Sequence, residues 1–197
     1  SAKSAGERNT LLPLYLQTLL QHGRALLAKS ILQERYLQQQ AEAGKTRQQA
    51  AELFKSMFDF RKEHSLGWVG LAWYGVSQTG LNENERQNVF KLIETAKEPL
   101  AFEAKRIVGY FRIRDRYSPG LPGKERLALQ SEIRTWLNIF ASPKSPDFKV
   151  AYSSRESQHL RLILAMIRSP WVRRGAPAYE NIHAPCPKTT SDVTDGM

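Results

Sequence analysis

A chain of 197 residues, 41% hydrophobic and 24% charged, has the composition of a globular protein and not of a disordered one. Its net charge of +10 favours an anionic partner: nucleic acid, an acidic protein or an anionic membrane surface. A single cysteine, Cys186, excludes an intramolecular disulfide and any cysteine-built metal cluster within one chain, which fits a reducing, intracellular compartment such as the cytoplasm or nucleus.

The first residues, SAKSAGERN, have no hydrophobic signal core and suggest an excised, processed or tagged product with a disordered stretch over 1–9. From Thr10 the pattern turns helical. Thr10 can cap, Pro13 is tolerated in a first turn, and Leu12, Leu16, Leu19, Gly23 and Leu26 form one apolar stripe flanked by Leu20, Leu27 and Ile31. Such a wide stripe predicts a mostly buried helix, closed by Gly44 after a glutamine-rich end. No sustained heptad surrounds those glutamines, so they read as a solvated helix end. Thr46 with Gln49 predicts a capping box for a second helix that buries Ala50, Leu53, Phe54, Met57 and Phe58.

Leu66 to Gly80, LGWVGLAWYGVSQTG, is apolar but too short to cross a bilayer. It predicts a buried helix whose Gly67 and Gly70 allow close crossing and whose Trp68 and Trp73 supply buried area. The glycine spacing matches neither a dinucleotide fold nor a P-loop. Asn82 with Glu85 opens the next helix, with Val89, Leu92, Ile93 and Ala96 facing inward and Pro99 at its end.

Ala101 to Tyr117, AFEAKRIVGYFRIRDRY, is the most informative stretch. Leu100, Ala104, Ile107, Val108 and Phe111 share one face at helical spacing. Lys105, Arg112 and Arg116 then lie on one flank, and Arg106, Tyr110, Arg114 and Tyr117 on the other. Phe102, Gly109 and Ile113 lie on the outer face, where a second neighbour could pack. Asp115 rotates toward the apolar stripe, so the helix must end near it or Asp115 must pair with an arginine.

The break SPGLPG, residues 118–123, separates this helix from one over 124–140 that buries Leu129, Ile133, Trp136, Leu137 and Phe140. After a loop and a short extended stretch over 150–152, Ser153 with Glu156 predicts a cap for a last helix whose apolar face is Leu160, Ile163, Leu164 and Ile167. Pro170 stops that helix. Residues 175–197 lack periodicity and read as a flexible tail, with Cys186 an exposed thiol.

The expected fold is therefore an all-α, single-domain bundle of six or seven helices over 10–174 with a disordered C-terminal tail. No catalytic motif stands out. His22, His64, His159 and His183 are scattered, and no serine elbow occurs, so no enzyme, cofactor, metal site or small-molecule substrate is inferred. Positive charge is the stronger signal, because it recurs across the C-terminal half. Lys105, Arg106, Arg112, Arg114, Arg116, Arg161, Arg168, Arg173 and Arg174 could form one phosphate-tracking stripe, with Tyr110, Tyr117 and Trp171 stacking on unpaired bases. That stripe needs the Ala101–Tyr117 helix and the last helix side by side. Charged flanks are also what any surface helix carries. The leading expectation is backbone-directed binding of RNA or single-stranded DNA within a larger assembly, which Arg112→Glu with Arg114→Glu would abolish. The competing expectation is a scaffold whose basic face meets an acidic protein or membrane headgroups and whose leucine-rich first helix docks another chain.

Overall fold

The computed structural model describes residues 2–142 and 154–168, with side chains described from Leu11 onward. Seven helices, and no strand, occur among the described residues: α1 (Ala2–Arg35), α2 (Gln40–Phe60), α3 (Ser65–Ser77), α4 (Glu83–Thr95), α5 (Phe102–Arg116), α6 (Gly123–Phe140) and α7 (Arg155–Arg168). The all-helical bundle is thus as expected. The extended stretch over 150–152, the stop at Pro170 and the tail with Cys186 lie outside the described residues.

The bundle is built in two halves around α5. Its Ala104, Ile107, Val108 and Phe111 join Leu16 and Leu20 of α1, Phe54 and Met57 of α2, Val69 and Ala72 of α3, and Phe90 and Ile93 of α4 in one cluster. On its other side, Ile113 joins Leu129, Ile133 and Trp136 of α6 and Leu160, Ile163 and Ile167 of α7 in a second cluster. The outer-face residues therefore do find a second neighbour. A Cβ on Gly109 would lie 2.9 Å from Trp136 Cδ1, and the Trp136 indole N–H donates to Arg106 O at 3.0 Å.

Close helix approach also organises the first half. Phe54, fully buried, lies over Gly23, and a Cβ on Gly70 would lie 2.8 Å from Met57 Cβ and 2.9 Å from Phe54 O. The glycine-rich α3 therefore crosses α2 at backbone distance, as its sequence predicts. Trp68 and Trp73 are only half-buried; Trp73 stacks on Phe54 and meets Phe111 edge-on. At the start of α4, Asn82 Oδ1 accepts from the Glu85 N–H at 3.1 Å, the cap that the spacing predicts. Asp115 pairs with Arg86, whose side chain is only 7% exposed and also meets Glu83. Glu98–Pro99 is a cis peptide, and a turn over 97–101 intervenes before α5.

Four local expectations differ from what forms. α1 starts at Ala2 and runs through Pro13 without interruption, so Thr10 does not open it. It ends at Arg35, with Gln38 in the left-handed region at φ 55° and the Leu37 N–H closing back on Leu32 O at 3.2 Å. Gly44 and Thr46 consequently lie inside α2 and cap nothing, because a glutamine takes the left-handed position expected of a glycine. The α7 cap is Ser154, one residue later than expected, whose Oγ accepts from the Ser157 N–H at 3.2 Å. The fourth difference concerns burial: α1 packs on α2 and α3 alone among the described helices and leaves Leu11, Leu14, Tyr15, Ile31 and Leu32 exposed. Leu92 of α4 is likewise 48% exposed, its inward position taken by Phe90.

A Cβ at Gly44 would meet nothing within 4 Å. Gly44→Ala is therefore expected to stabilise the protein by about 0.5–1 kcal/mol, the helix-interior cost of glycine. Gly70→Ala is expected to destabilise it by about 1–3 kcal/mol through overpacking. Urea midpoints at unchanged slope check both.

Candidate functional site

Placing α5 between two cores dictates where its cations go. Both broad faces of the helix are covered, so the charged side chains leave along the seams and meet carboxylates there. Lys105 Nζ lies 3.4 Å from Glu98, and Arg112 Nε lies 3.0 Å from Glu94 of α4. Arg116 pairs with Glu132 of α6, and Arg114 chelates its neighbour Asp115 while lying 4.4 Å above the Phe111 ring. The Arg106 Nε–H is shared between the two Glu103 carboxylate oxygens, and Arg106 Nη1 lies 3.5 Å from Glu156 of α7. Burial disfavours the Arg106 charge, and the two carboxylates more than compensate, so its pKa is raised. All five of these arginines and lysines that α5 contributes are thus engaged within the protein, pointing toward three different neighbours.

The α5–α7 packing required for the expected groove does form, but its seam is closed by side chains. The Tyr110 hydroxyl meets His159 Nδ1 at 2.8 Å, and the Tyr117 hydroxyl donates to Met166 S at 3.8 Å. Both tyrosines are half-buried. Burial raises the Tyr110 pKa, with the nearby charges of Arg114, Glu156, Arg155 and Asp115 acting in opposing directions. The phenol therefore keeps its proton at neutral pH. Arg161 and Arg168 lie on a flank of α7 about 120° or more away from His159, Arg161 half-buried and Arg168 exposed. His159 is thus the α7 side chain that meets Tyr110 of α5. Trp171, Arg173 and Arg174 lie outside the described residues.

What the fold does bring together is a different basic surface. An open cleft of about 1150 Å³ lies between α1, α3, α5 and α7, lined by Arg24, Arg35, Arg47, Arg114 and Arg155 against only two carboxylates, Glu34 and Glu156. Arg47 is held by Glu34, and Arg114 by Asp115. Arg24, Arg35 and Arg155 are exposed and make no ion pair among the described residues. Arg24 lies 5.2 Å over the Trp73 ring. Tyr110 and His159 form part of the wall, and Ser77 and Thr79 line the end of α3.

Of the described members of the sequence-derived set, only Tyr110 and Arg114 line this cleft. Arg24, Arg35, Arg155, Trp73 and His159 stand outside that set. Their signal is faint but present: Arg24, Ile31 and Arg35 recur at intervals of seven and four, one flank of a helix, and Arg155, His159 and Leu162 at intervals of four and three mark one flank of α7. Among the described residues, no three His, Cys, Asp or Glu side chains converge as a metal site would need, and no helix is long and apolar enough to cross a membrane. No known protein family, curated protein or solved structure matches the chain.

The tyrosine–histidine contact makes a pH prediction. Below the ordinary tyrosine pKa of 10.0 the phenol keeps its proton in folded and unfolded chains alike; above it the unfolded chain loses the proton first, because the folded value is raised. Stability is therefore expected to fall as pH rises past about 10. Tyr110→Phe should flatten that fall while costing about 1 kcal/mol at neutral pH through the lost hydrogen bond. Denaturant titrations at neutral and alkaline pH measure both effects.

Proposed function

We propose that this protein is a non-catalytic binder of single-stranded RNA or DNA, acting as a helical subunit of a larger assembly, with the cleft between α1, α3, α5 and α7 as its binding surface. The observation that carries this reading is the trio Arg24, Arg35 and Arg155: exposed guanidiniums on one cleft, with no carboxylate partner among the described residues. Planar guanidiniums match phosphate geometry bidentately and are weakly hydrated, so they exchange water for phosphate at little desolvation cost. The cleft is larger than the pockets that usually enclose one small molecule, and it is open, which suits a segment of polymer. Trp73 and Tyr110 offer aromatic edges to a base entering between the arginines. Backbone contacts dominate in this arrangement, so affinity depends on salt and little on sequence.

The reading moves the binding residues off the α5 seams. Arg112, engaged by Glu94 beside α4, contributes little, whereas Arg24 and Arg155 carry the phosphate contacts. Binding of a fluorescent single-stranded RNA or DNA oligonucleotide, followed by anisotropy over a salt series, is the test. Three phosphate contacts give a log–log slope of about −2. Arg24→Glu with Arg155→Glu is expected to weaken binding at least ~10-fold and to flatten the slope, while Arg112→Glu changes affinity by less than about 2-fold. No binding to either oligonucleotide at low salt would reject this function. Binding to vesicles of anionic lipid or to an acidic polypeptide in its place would favour the scaffold alternative.

A further inference from the structure

The outer face of α1 carries a second stripe that the core does not use. Positions 11, 15, 18, 22, 25, 29, 32 and 36 alternate in steps of four and three, and all eight side chains are exposed. Leu11 is 62% exposed, Tyr15 54%, Leu32 54% and Tyr36, just past the helix end, 75%. Phe60, at the end of α2, meets Tyr15 edge-on at 6.0 Å and widens the first apolar end. The stripe is therefore apolar at both ends and polar in the middle, at Thr18, His22 and Lys29.

We propose that this stripe is a homodimer interface in which the α1 helices of two copies pack antiparallel about a two-fold axis between His22 and Ala25. In that register Leu11 faces Tyr36 of the second copy, Tyr15 faces Leu32, Thr18 faces Lys29 and His22 faces Ala25. Each apolar end meets the other apolar end, as a self-complementary two-fold interface requires.

Charge selects this occupant and this direction. Residues 11–22, LLPLYLQTLLQH, contain no Lys, Arg, Asp or Glu, whereas the following half of the helix holds Arg24, Lys29, Glu34 and Arg35. Antiparallel pairing lays the charged half of one copy along the uncharged half of the other. Parallel pairing would set Lys29 on Lys29 in a protein that already carries +10. Opposed helix dipoles add to the same preference. The period of about 3.5 residues is that of helices which pack side by side over several turns, and the two apolar ends stand about 37 Å apart at 1.5 Å per residue. Arg24, Ile31 and Arg35 lie on another flank of α1, so the cleft stays open in the dimer. The interface and the nucleic-acid reading are independent of each other.

The test uses the full chain with Cys186→Ser. Sedimentation equilibrium at about 100 µM is expected to show a dimer, with Kd in the micromolar range given the polar centre. Tyr15→Glu with Leu32→Glu, both at exposed positions, should weaken dimerisation at least ~100-fold with the helical circular dichroism unchanged. T18C and K29C chains, mixed under mild oxidant, should give the mixed disulfide, while each alone gives little, since residues 18 and 29 are about 16 Å apart along the helix. A monomer at that concentration, a dimer indifferent to the glutamates, or T18C–T18C and K29C–K29C products dominating the mixture would each overturn the proposal.

Discussion

The constraint on which this structure depends is the burial of α5 from two sides. One face closes the cluster shared with α1 to α4, and the other closes the cluster shared with α6 and α7. The close approach of Trp136 over Gly109, with its indole proton on Arg106 O, fixes the second half against the first. A helix so placed has both of its apolar faces covered, and α5 carries five arginines and lysines among fifteen residues. Their charged ends must leave along narrow, partly dehydrated seams. A guanidinium in such a seam is costly unless a carboxylate accompanies it. Glu98, Glu94, Glu103, Glu156, Asp115 and Glu132 fill that role, and the same pairs hold α4, α6 and α7 to the central helix.

That constraint also explains which parts of the molecule are legible in the sequence. The apolar stripe of α5, the small Gly109 opposite it, the Asn82 cap and the need of Asp115 for an arginine all follow from residues within a few turns of one another. Helical spacing alone decides them. The pairing of Arg112 with Glu94 or of Arg116 with Glu132 requires knowing which helices are neighbours, and a basic flank reads the same whether it meets solvent or a glutamate. Local chemistry misleads where the chain has two ways to make one shape. Gly44 is the obvious helix terminator, but Gln38 adopts the left-handed conformation and leaves Gly44 inside α2.

The cleft has the opposite origin to the α5 seams. Its unpaired arginines come from elements at the rim: two from the outer flank of α1 and one from the first turn of α7. They are exposed, so each keeps its hydration and needs no carboxylate. Arg24 gains additional support from the Trp73 face, while the Trp73 ring is fixed from behind by Phe54 and from the side by Phe111. Net charge alone could not distinguish structural from available cations. Pairing separates them: each of the five α5 cations has a carboxylate within ion-pair distance, whether half-buried like Arg106 or exposed like Arg116, whereas Arg24, Arg35 and Arg155 have none among the described residues.

α1 then acquires three roles from one helical wheel. Its Leu16–Leu20–Gly23 side enters the core against Phe54, its Arg24–Ile31–Arg35 side walls the cleft, and its Leu11–Tyr15–Leu32 side faces outward. A helix that packs on only two of the described helices has room for this division, because about a third of its circumference suffices for the core. The width of its leucine pattern, which suggests a wholly buried helix, therefore sums two separate apolar stripes. Only one of them is covered among the described residues; the other bears an arrangement of charge and apolar side chains that matches its own reverse.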